Sequence, residues 1–332
     1  MLCKFMKMSK KGLLYLSYKD VKDVGLSIEE MVDSIEEALR EKYFKRVEMP
    51  PKPGIHTRKE AFIHAMPAYV PKKEAAGMKW ISGYLDNVTK GLPYITGLIV
   101  LNDPETGIPI CVMDATWITA KRTGVITAIS AKYLARRDSK VIGIIGCGVQ
   151  GRSNLEALSF VLNNIMEVKA FDVIDSKLED YLRYIKSNYN YNVIGTSKSK
   201  EAIEDSDVIV TATPIVKGQN PIARYNWVKE GSLVCPIEFG SYWDTDTFFE
   251  VDKLCTDDIE QLMYYKEKGY FEKIGPIYSE LSELVAGVKK GRESNGERIT
   301  AVNLGLALAD VVVAKAVYEK ALKKGIGVAL DL

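Results

Sequence analysis

The chain is poor in histidine, with only His56 and His64 among 332 residues. That excludes the multi-histidine zinc sites and most Ser–His or Cys–His triads. Proton transfer has to be argued from Lys, Asp, Glu, Tyr or water, with one histidine available. The five cysteines (Cys3, Cys111, Cys147, Cys235, Cys255) are scattered, odd in number and form no CxxC pair. This excludes a disulfide framework and a thiolate metal site, and points to the reducing cytoplasm. Net charge is +1, with 45 basic and 44 acidic residues intermixed. There is therefore no basic face for nucleic acid and no electrostatic drive to a membrane. No apolar run is long enough to cross a bilayer. The start, MLCKFMKMSKKG, has no sustained apolar core before a cleavage site, and reads as a disordered lead-in rather than a signal peptide. Internal repeats and low-complexity segments are lacking too. What is present, 47% hydrophobic residues in a chain longer than one core usually fills, indicates two soluble domains.

The most informative segment is Lys140–Gly151, KVIGIIGCGVQG. A β-branched run (Val141, Ile142, Ile144, Ile145) leads into Gly146-x-Gly148-x-x-Gly151, and a helical pattern follows from Ser153 through Phe160. Strand, glycine turn and helix in this order are the setting of a dinucleotide-binding fingerprint. Gly146 permits the tight turn, Gly148 lets a pyrophosphate approach the backbone, and Gly151 lets helix and strand pack. The phosphates would sit on the helix N-terminus with Val149 and Gln150. The alternative is an ordinary glycine-rich βα turn. Glu167–Asp172 reads as a second strand ending in an acid, and Asp172 follows about 20 positions after Gly151, where a carboxylate holds the adenosine ribose hydroxyls. Val173, Ile174 and Asp175 offer no arginine for a 2′-phosphate, so the expected cofactor is NAD. Asp172 as a turn residue or helix cap is the plainer alternative. Further β-like runs at Asp207–Thr211 and Ser232–Ile237 complete an alternation that indicates a parallel sheet covered on both faces. Thr211 and Thr213, at the end of the first of these runs, join the expected cofactor contacts.

Before the fingerprint, a short strand (LLYLS) precedes an amphipathic helix. That helix is N-capped by Ser27, has Glu29 and Glu30 in its first turn, and ends near Tyr43. Ala61–Pro67, Gly77–Tyr84 and Thr96–Leu101 read as strands, and Asp103–Gly107 as a turn. Thr116 to about Arg137 reads as one helix, and Ala301 to Lys324 as another.

These segments resemble the ornithine cyclodeaminase/mu-crystallin family, which also contains archaeal-type alanine dehydrogenases and ketimine reductases. The resemblance rests on HAMPA from His64, GMKWIS from Gly77, Gly91-Leu-Pro, DPETGIP from Asp103, DATWITAKRT from Asp114, the fingerprint, and GLALAD from Gly305. It covers nearly the whole chain. It implies a Rossmann-type doubly wound parallel sheet over residues 123–311. It further implies an α+β dimerisation and substrate domain formed by residues 1–122 with the returning C-terminal helix, 312–332, and a homodimer.

The resemblance makes Lys79 the active-site lysine. Flanked by Met78 and Trp80 on a strand, it would be partly desolvated, which lowers a lysine pKa and suits proton transfer. Read without the family, it is as well a surface lysine on a strand's polar side. Arg122 matches the family arginine whose planar fork clamps the substrate carboxylate, with Thr123 near the cofactor. Pairing on the helix surface is the alternative. Lys52 stands where the family has a second carboxylate-binding arginine, keeping the charge but losing the fork. His64 and Met66 lie in the same expected substrate pocket.

The chain also departs from the family pattern. His64 replaces a glutamate, Tyr94 a threonine, and Tyr242 falls in the place of a loop aspartate that acts on the substrate amine. Asp244 or Asp246 substitutes only if the loop shifts. Glu238, Tyr242 and Trp243 would read a bulkier substrate side chain; the alternative is that Tyr242 and Trp243 only pack the domain interface. The implied function is NAD(H)-dependent hydride transfer at the α-carbon of an amino or imino acid, with Lys79, Arg122, Tyr242 and Asp244 as catalytic candidates and no metal. The alternatives are ornithine cyclodeamination with recycled NAD, a non-catalytic dinucleotide and small-ligand binder like mu-crystallin, or an accessory subunit of another oxidoreductase.

Overall fold

The computed structural model describes residues 12–218 and 220–332. The basic lead-in, with Cys3, lies outside the described residues. The described residues up to Arg122, together with Leu306–Leu332, form one compact unit, and Thr123–Gly305 form a second.

The first unit is built on β1 (Gly12–Leu16), helices α1 (Tyr18–Asp23) and α2 (Ile28–Tyr43), and strands β2 (Gly54–Ile55), β3 (Ala61–Val70), β4 (Ala75–Tyr84), β5 (Ile95–Asn102) and β6 (Pro109–Asp114). A C-terminal helix, Ala307–Lys324, and strand, Val328–Asp331, return to it. The seven strands run in the order C-terminal strand, β1, β6, β5, β4, β3, β2. Only β1 and β6 pair in parallel. Helix α2 starts where its capping box requires: the Glu30 amide donates to Ser27 Oγ at 3.1 Å, and the Ser27 amide to Glu30 Oε2 at 2.7 Å. Pro67 sits inside β3 at no loss. The amides of its neighbours Ala65 and Tyr69 donate to Pro53 and Glu48 on the side away from β4, so the missing N–H falls on the sheet's irregular edge.

Strand register decides what this unit buries. Met66, Lys79, Ile99, Met113 and Leu16 lie opposite one another across β3, β4, β5, β6 and β1. All five are buried, beneath the C-terminal helix, which packs on β3, β4 and β5. The next row, Ala65, Trp80 and Leu98, points to the other face, where Trp80 and Leu98 are each 44% exposed. The pleat thus turns a lysine inward and a tryptophan outward.

Helix α3 (Thr116–Leu134) contains the boundary between the units, at Arg122 and Thr123. The Thr116 amide donates to Asp114 Oδ1 at 2.8 Å. The helix stops at Leu134 rather than near Arg137, because its last carbonyls are taken from outside: Arg292 donates its amide to Tyr133 O and its Nε to Leu134 O.

The second unit alternates β7 (Val141–Ile145), α4 (Val149–Val161), β8 (Glu167–Phe171), α5 (Asp175–Asn188), β9 (Asn192–Gly195), α6 (Ser199–Ile203), β10 (Val208–Thr211) and β11 (Leu233–Pro236). These are followed by α7 (Asp246–Phe249), β12 (Lys253–Thr256), α8 (Ile259–Glu267), β13 (Ile277–Glu280), α9 (Leu281–Val285) and β14 (Ile299–Val302). The sheet order is β13-β12-β14-β11-β10-β7-β8-β9, and every pair is parallel. This is the doubly wound Rossmann-type sheet. Strands β10, β11, β12 and β14 are buried along their whole length, as a parallel sheet covered on both faces requires.

One boundary differs from expectation. Residues Ile299–Val302 form a central strand, and the C-terminal helix begins only at Ala307. The break comes at Gly305, in a left-handed conformation at φ +86°. There the buried Asp257 carboxylate accepts from the Leu304 and Gly305 amides at 3.0 and 2.7 Å. The mainly apolar run Ala301–Ala309, broken only by Asn303 and Gly305, reads as one helix and hides that turn.

Two glycines of the fingerprint respond oppositely to an added methyl. A Cβ at Gly151 would lie 2.3 Å from the Gly146 carbonyl oxygen, whereas one at Gly148 would meet nothing within 4 Å. Gly151→Ala is expected to destabilise the fold by about 1–3 kcal/mol, and Gly148→Ala by less than about 0.5 kcal/mol. Urea unfolding of the two variants measures this, and equal midpoints would refute the packing role of Gly151.

Candidate functional site

In the first unit, one carboxylate oxygen gathers two cations. Lys79 Nζ stands 2.7 Å from Asp310 Oδ1, and Arg122 Nε donates to the same oxygen at 2.8 Å. The three come from β4, α3 and the first turn of the C-terminal helix. Lys79 and Asp310 are fully buried and Arg122 nearly so. Neither Lys79 Nζ nor Asp310 Oδ2 has a partner in hydrogen-bonding geometry, so the lysine contact is an ion pair at short range rather than an aligned bond. Burial pushes the Lys79 ammonium down to about 7; the Arg122 charge pushes the same way, and Asp310 resists. A buried ion carries an effective penalty of several kcal/mol, and a lysine poised near neutrality in such a place makes this cluster the candidate site.

Other expected substrate residues belong to this unit. Lys52 and Met66 are buried, and so is His64, whose ring stacks on Phe62 with centroids 4.4 Å apart. Gly54 makes room for that ring, since a Cβ there would lie 2.3 Å from His64 Cδ2. Burial first, then Lys52, His56 and Lys79, hold the His64 pKa down to about 3, so the imidazole is neutral at physiological pH. It adds an uncharged polar edge to a cationic neighbourhood. Asp310 was the residue that sequence reading passed over. Its signal was an acid inside an otherwise apolar helix, ALADVVVA.

In the second unit, the fingerprint forms the expected turn. Gly146 adopts φ +97°, and a Cβ there would lie 2.6 Å from the Ala212 carbonyl oxygen. Gly148 caps α4 without a side chain, and the space beside it is open to whatever approaches the helix N-terminus. Val149 at that end is 64% exposed. Gln150 accepts from Asn154 within the helix. Asp172 turns back toward the glycine turn. Its Oδ2 accepts from the Cys147 amide at 2.8 Å and its Oδ1 from the Ile174 amide at 2.9 Å. Val173, the next residue, is 83% exposed. Helix terminus, open glycine and acid at the end of β8 suit a dinucleotide's pyrophosphate and ribose. Thr123 is buried with its carbonyl accepting from Thr127. Thr211 is buried and accepts from the Trp243 indole at 2.9 Å. Thr213, two residues on, is half-buried.

The loop after β11 is arranged inward. Tyr242 and Trp243 belong to an apolar cluster with Phe239, Phe248 and Leu254, and the Tyr242 hydroxyl faces Ser199. Asp244 is committed to local structure, accepting from the Tyr225 amide at 3.0 Å and from Thr247 Oγ1 at 2.8 Å. Glu238 is buried, and burial raises its carboxyl to about 7. Among the described residues no group of His, Cys, Asp and Glu is arranged to hold a metal, and no helix is long and apolar enough to cross a membrane.

Comparison with known proteins places the chain among enzymes of one kind. Residues 14–325 match the model of the ornithine cyclodeaminase/mu-crystallin family. Alanine dehydrogenase from Archaeoglobus fulgidus is 37% identical over 326 residues, spanning 95% of this chain and 97% of that protein. Among solved structures, Thermococcus litoralis Δ1-pyrroline-2-carboxylate reductase in complex with NADH and L-proline superposes with a TM-score of 0.86. It is 33% identical and covers 95% of this chain and 99% of that one. An archaeal alanine dehydrogenase dimer with bound NAD gives the same TM-score at 36% identity, covering 97% and 99%.

Lys79 allows a test of stability that is independent of any ligand. In the unfolded chain it titrates near 10.4, in the fold at about 7. Between these values the unfolded chain holds a proton that the fold has released, so this group makes stability rise with pH across that window. Below it, the burden of the buried ammonium is fully present. Lys79→Met removes the ammonium while Arg122 still pairs Asp310. The variant is expected to be more stable at pH 6 by roughly 1–4 kcal/mol, with the gap narrowing toward pH 10. A variant less stable than the parent at pH 6 in urea unfolding would show that the ion pair stabilises the fold.

Proposed function

The chain belongs to the ornithine cyclodeaminase/mu-crystallin family, and on that premise we propose that it is an NAD-dependent oxidoreductase acting at the carbon–nitrogen bond of an amino or imino acid. The observation that carries this reading is the buried Lys79–Asp310–Arg122 cluster. The relative named alanine dehydrogenase and the neighbour crystallised with NADH and L-proline support it.

The dinucleotide, when bound, supplies the two-electron acceptor or donor. Gly148 and the first amides of α4 hold its pyrophosphate, and Asp172 takes the ribose hydroxyls and rejects a 2′-phosphate by charge. Arg122 commits Nε to Asp310, which fixes the guanidinium plane and leaves its outer edge for the substrate carboxylate. Lys52 adds a second positive charge to that end of the site. Lys79, near half-ionised at neutral pH, takes a proton from the substrate nitrogen in the oxidative direction and returns it in the reductive one. Asp310 sets both: it orients the arginine and keeps the lysine from losing its proton altogether. With Asp244 held in local bonds, this reading is favoured over ornithine cyclodeamination.

The chain also acts as a homodimer in this proposal. The outer face of the first unit's sheet exposes Tyr15 (38%), Trp80 (44%), Leu98 (44%) and Val328 (55%), and Trp80 and Leu98 lie directly opposite each other in the register. A second copy covers that face, as the dimeric archaeal neighbour suggests. Light scattering should then give twice the chain mass of 37.1 kDa, and Trp80→Glu should give monomer. A monomeric parent protein would overturn this.

Catalysis is tested by following NADH at 340 nm with pyruvate plus ammonia, cyclic imino acids and diamino acids. Lys79→Ala is expected to abolish turnover on the accepted substrate and leave NADH affinity within a few-fold. Asp172→Ala should relax discrimination against NADPH in the same assay. Tight NADH binding with no turnover on any of the panel would instead identify a binding protein.

A further inference from the structure

Glu238 stands two residues beyond β11, a carboxyl group buried at the ends of the strands. It is 1% exposed, and neither of its oxygens has a partner in hydrogen-bonding geometry. A buried polar group whose bonds are unmade destabilises a fold, so a fold with no use for it would be better served by an apolar side chain.

Its position in the sheet is specific. The chain order reverses between β7 and β10: β8 and β9 extend one side, β10 and β11 the other. Ligands of doubly wound sheets lie outside the carboxyl ends of the strands at such a reversal. Asp172, at the end of β8, lies on one side of the glycine turn. The segment after β10 closes the other side, with the Ala212 amide donating to Ile145 O at 2.7 Å. Next along, the Ile237 amide donates to Thr211 O at 3.0 Å, so Glu238 begins where β10 and β11 end together. A dinucleotide whose adenosine ribose is held at Asp172 extends its other ribose and ring toward this end of the sheet.

We propose that Glu238 binds the nicotinamide end of the dinucleotide, its carboxyl group donating to the carboxamide oxygen and accepting from the carboxamide nitrogen. This rests on the reading of the chain as an NAD-dependent enzyme. A carboxylic acid and a primary amide are complementary in this way, each offering one donor and one acceptor side by side. The principal groups facing the carboxyl are the Thr211 hydroxyl and the backbone amides of Ile237, Glu238 and Tyr242. They favour the charged form but are outweighed by burial, which raises the group to about 7. Tyr242 is its titratable neighbour, and that phenol is itself raised by burial and by Glu238. Thr211 is steadied in turn by the Trp243 indole, which gives the inward-facing Trp243 a supporting part in the same site.

The sign follows from the protonated form being the donor. As pH rises through about 7, the carboxyl loses its proton, the donor disappears and a buried charge faces the amide oxygen. NADH affinity should fall by about tenfold for each pH unit above neutrality while the protonated form alone binds.

The test compares NADH, by fluorescence titration, with ADP-ribose, by calorimetry, from pH 6 to pH 9. ADP-ribose carries the pyrophosphate and both riboses but no nicotinamide. For the parent protein, NADH affinity should drop at least tenfold across the range while ADP-ribose affinity stays level. Glu238→Gln keeps a donor and an acceptor and should bind NADH with a flat profile. Glu238→Ala should bind NADH at least tenfold more weakly at pH 6, with ADP-ribose unaffected. Should the alanine variant not fold, the glutamine variant decides alone. A shared pH profile for the parent and Glu238→Gln, or a flat profile in the parent, would overturn the assignment of Glu238 and leave the NAD reading intact. Failure of ADP-ribose and NADH alike to bind the parent would overturn both.

Discussion

Asp310 Oδ1 holds Lys79 at 2.7 Å and Arg122 at 2.8 Å inside the first unit. Much of that unit follows from making this contact possible. The pleat of β4 must turn Lys79 inward, which sends Trp80 to the opposite face. The C-terminal helix must return across nearly the full length of the sequence and lay its first turn over the sheet. Helix α3 must start at Asp114–Thr116 so that Arg122 arrives two turns later beside the same carboxylate. One anion between two cations leaves the group short of negative charge in a place where water does not supply it. Burial first, and the Arg122 charge after it, depress the lysine, and the shortage of negative charge suits the cluster to an anionic substrate carrying a basic nitrogen.

The second unit solves a different problem with backbone alone. Gly146 and Gly151 are glycines for internal reasons, since a methyl on either would strike a carbonyl oxygen. Gly148 has no such internal reason, since a methyl there would meet nothing within 4 Å. Asp172 is tied to the same turn through the Cys147 amide, so the acid and the helix terminus are fixed relative to each other before a ligand arrives. With Glu238 at the far end of the same strand edges, the unit presents polar groups suited to both ends of a dinucleotide.

Much of this was legible in the sequence. The fingerprint, its strand and helix and Asp172 could be named because they belong to a local pattern whose chemistry is set within a few residues, whereas Lys79 and Arg122 were named only through the family resemblance of the segments around them. What escaped depended on distant partners. Asp310 closes the GLALAD segment without any role to read from it, since Lys79 and Arg122 reach it only after the chain has returned. The strand Ile299–Val302 merged with that helix in the sequence because the turn at Gly305 is held by Asp257 from another strand. Tyr242 and Trp243 could be read as substrate contacts or as packing at a domain interface, and the cluster in which the fold places them is assembled from segments far apart in the chain. Asp244, a candidate acid by position, is drawn into a turn by Tyr225 and Thr247.

The central claim is that Lys79, buried beside Arg122 and sharing one carboxylate with it, is poised near neutrality in the folded protein, chiefly because burial disfavours its charge. The most direct measurement is the ionisation of this lysine itself, followed by NMR of its labelled side chain between pH 5 and pH 11 in the ligand-free protein. A midpoint near 7 is the result this account requires. A midpoint near 10.5, the value of a solvated lysine, would contradict it.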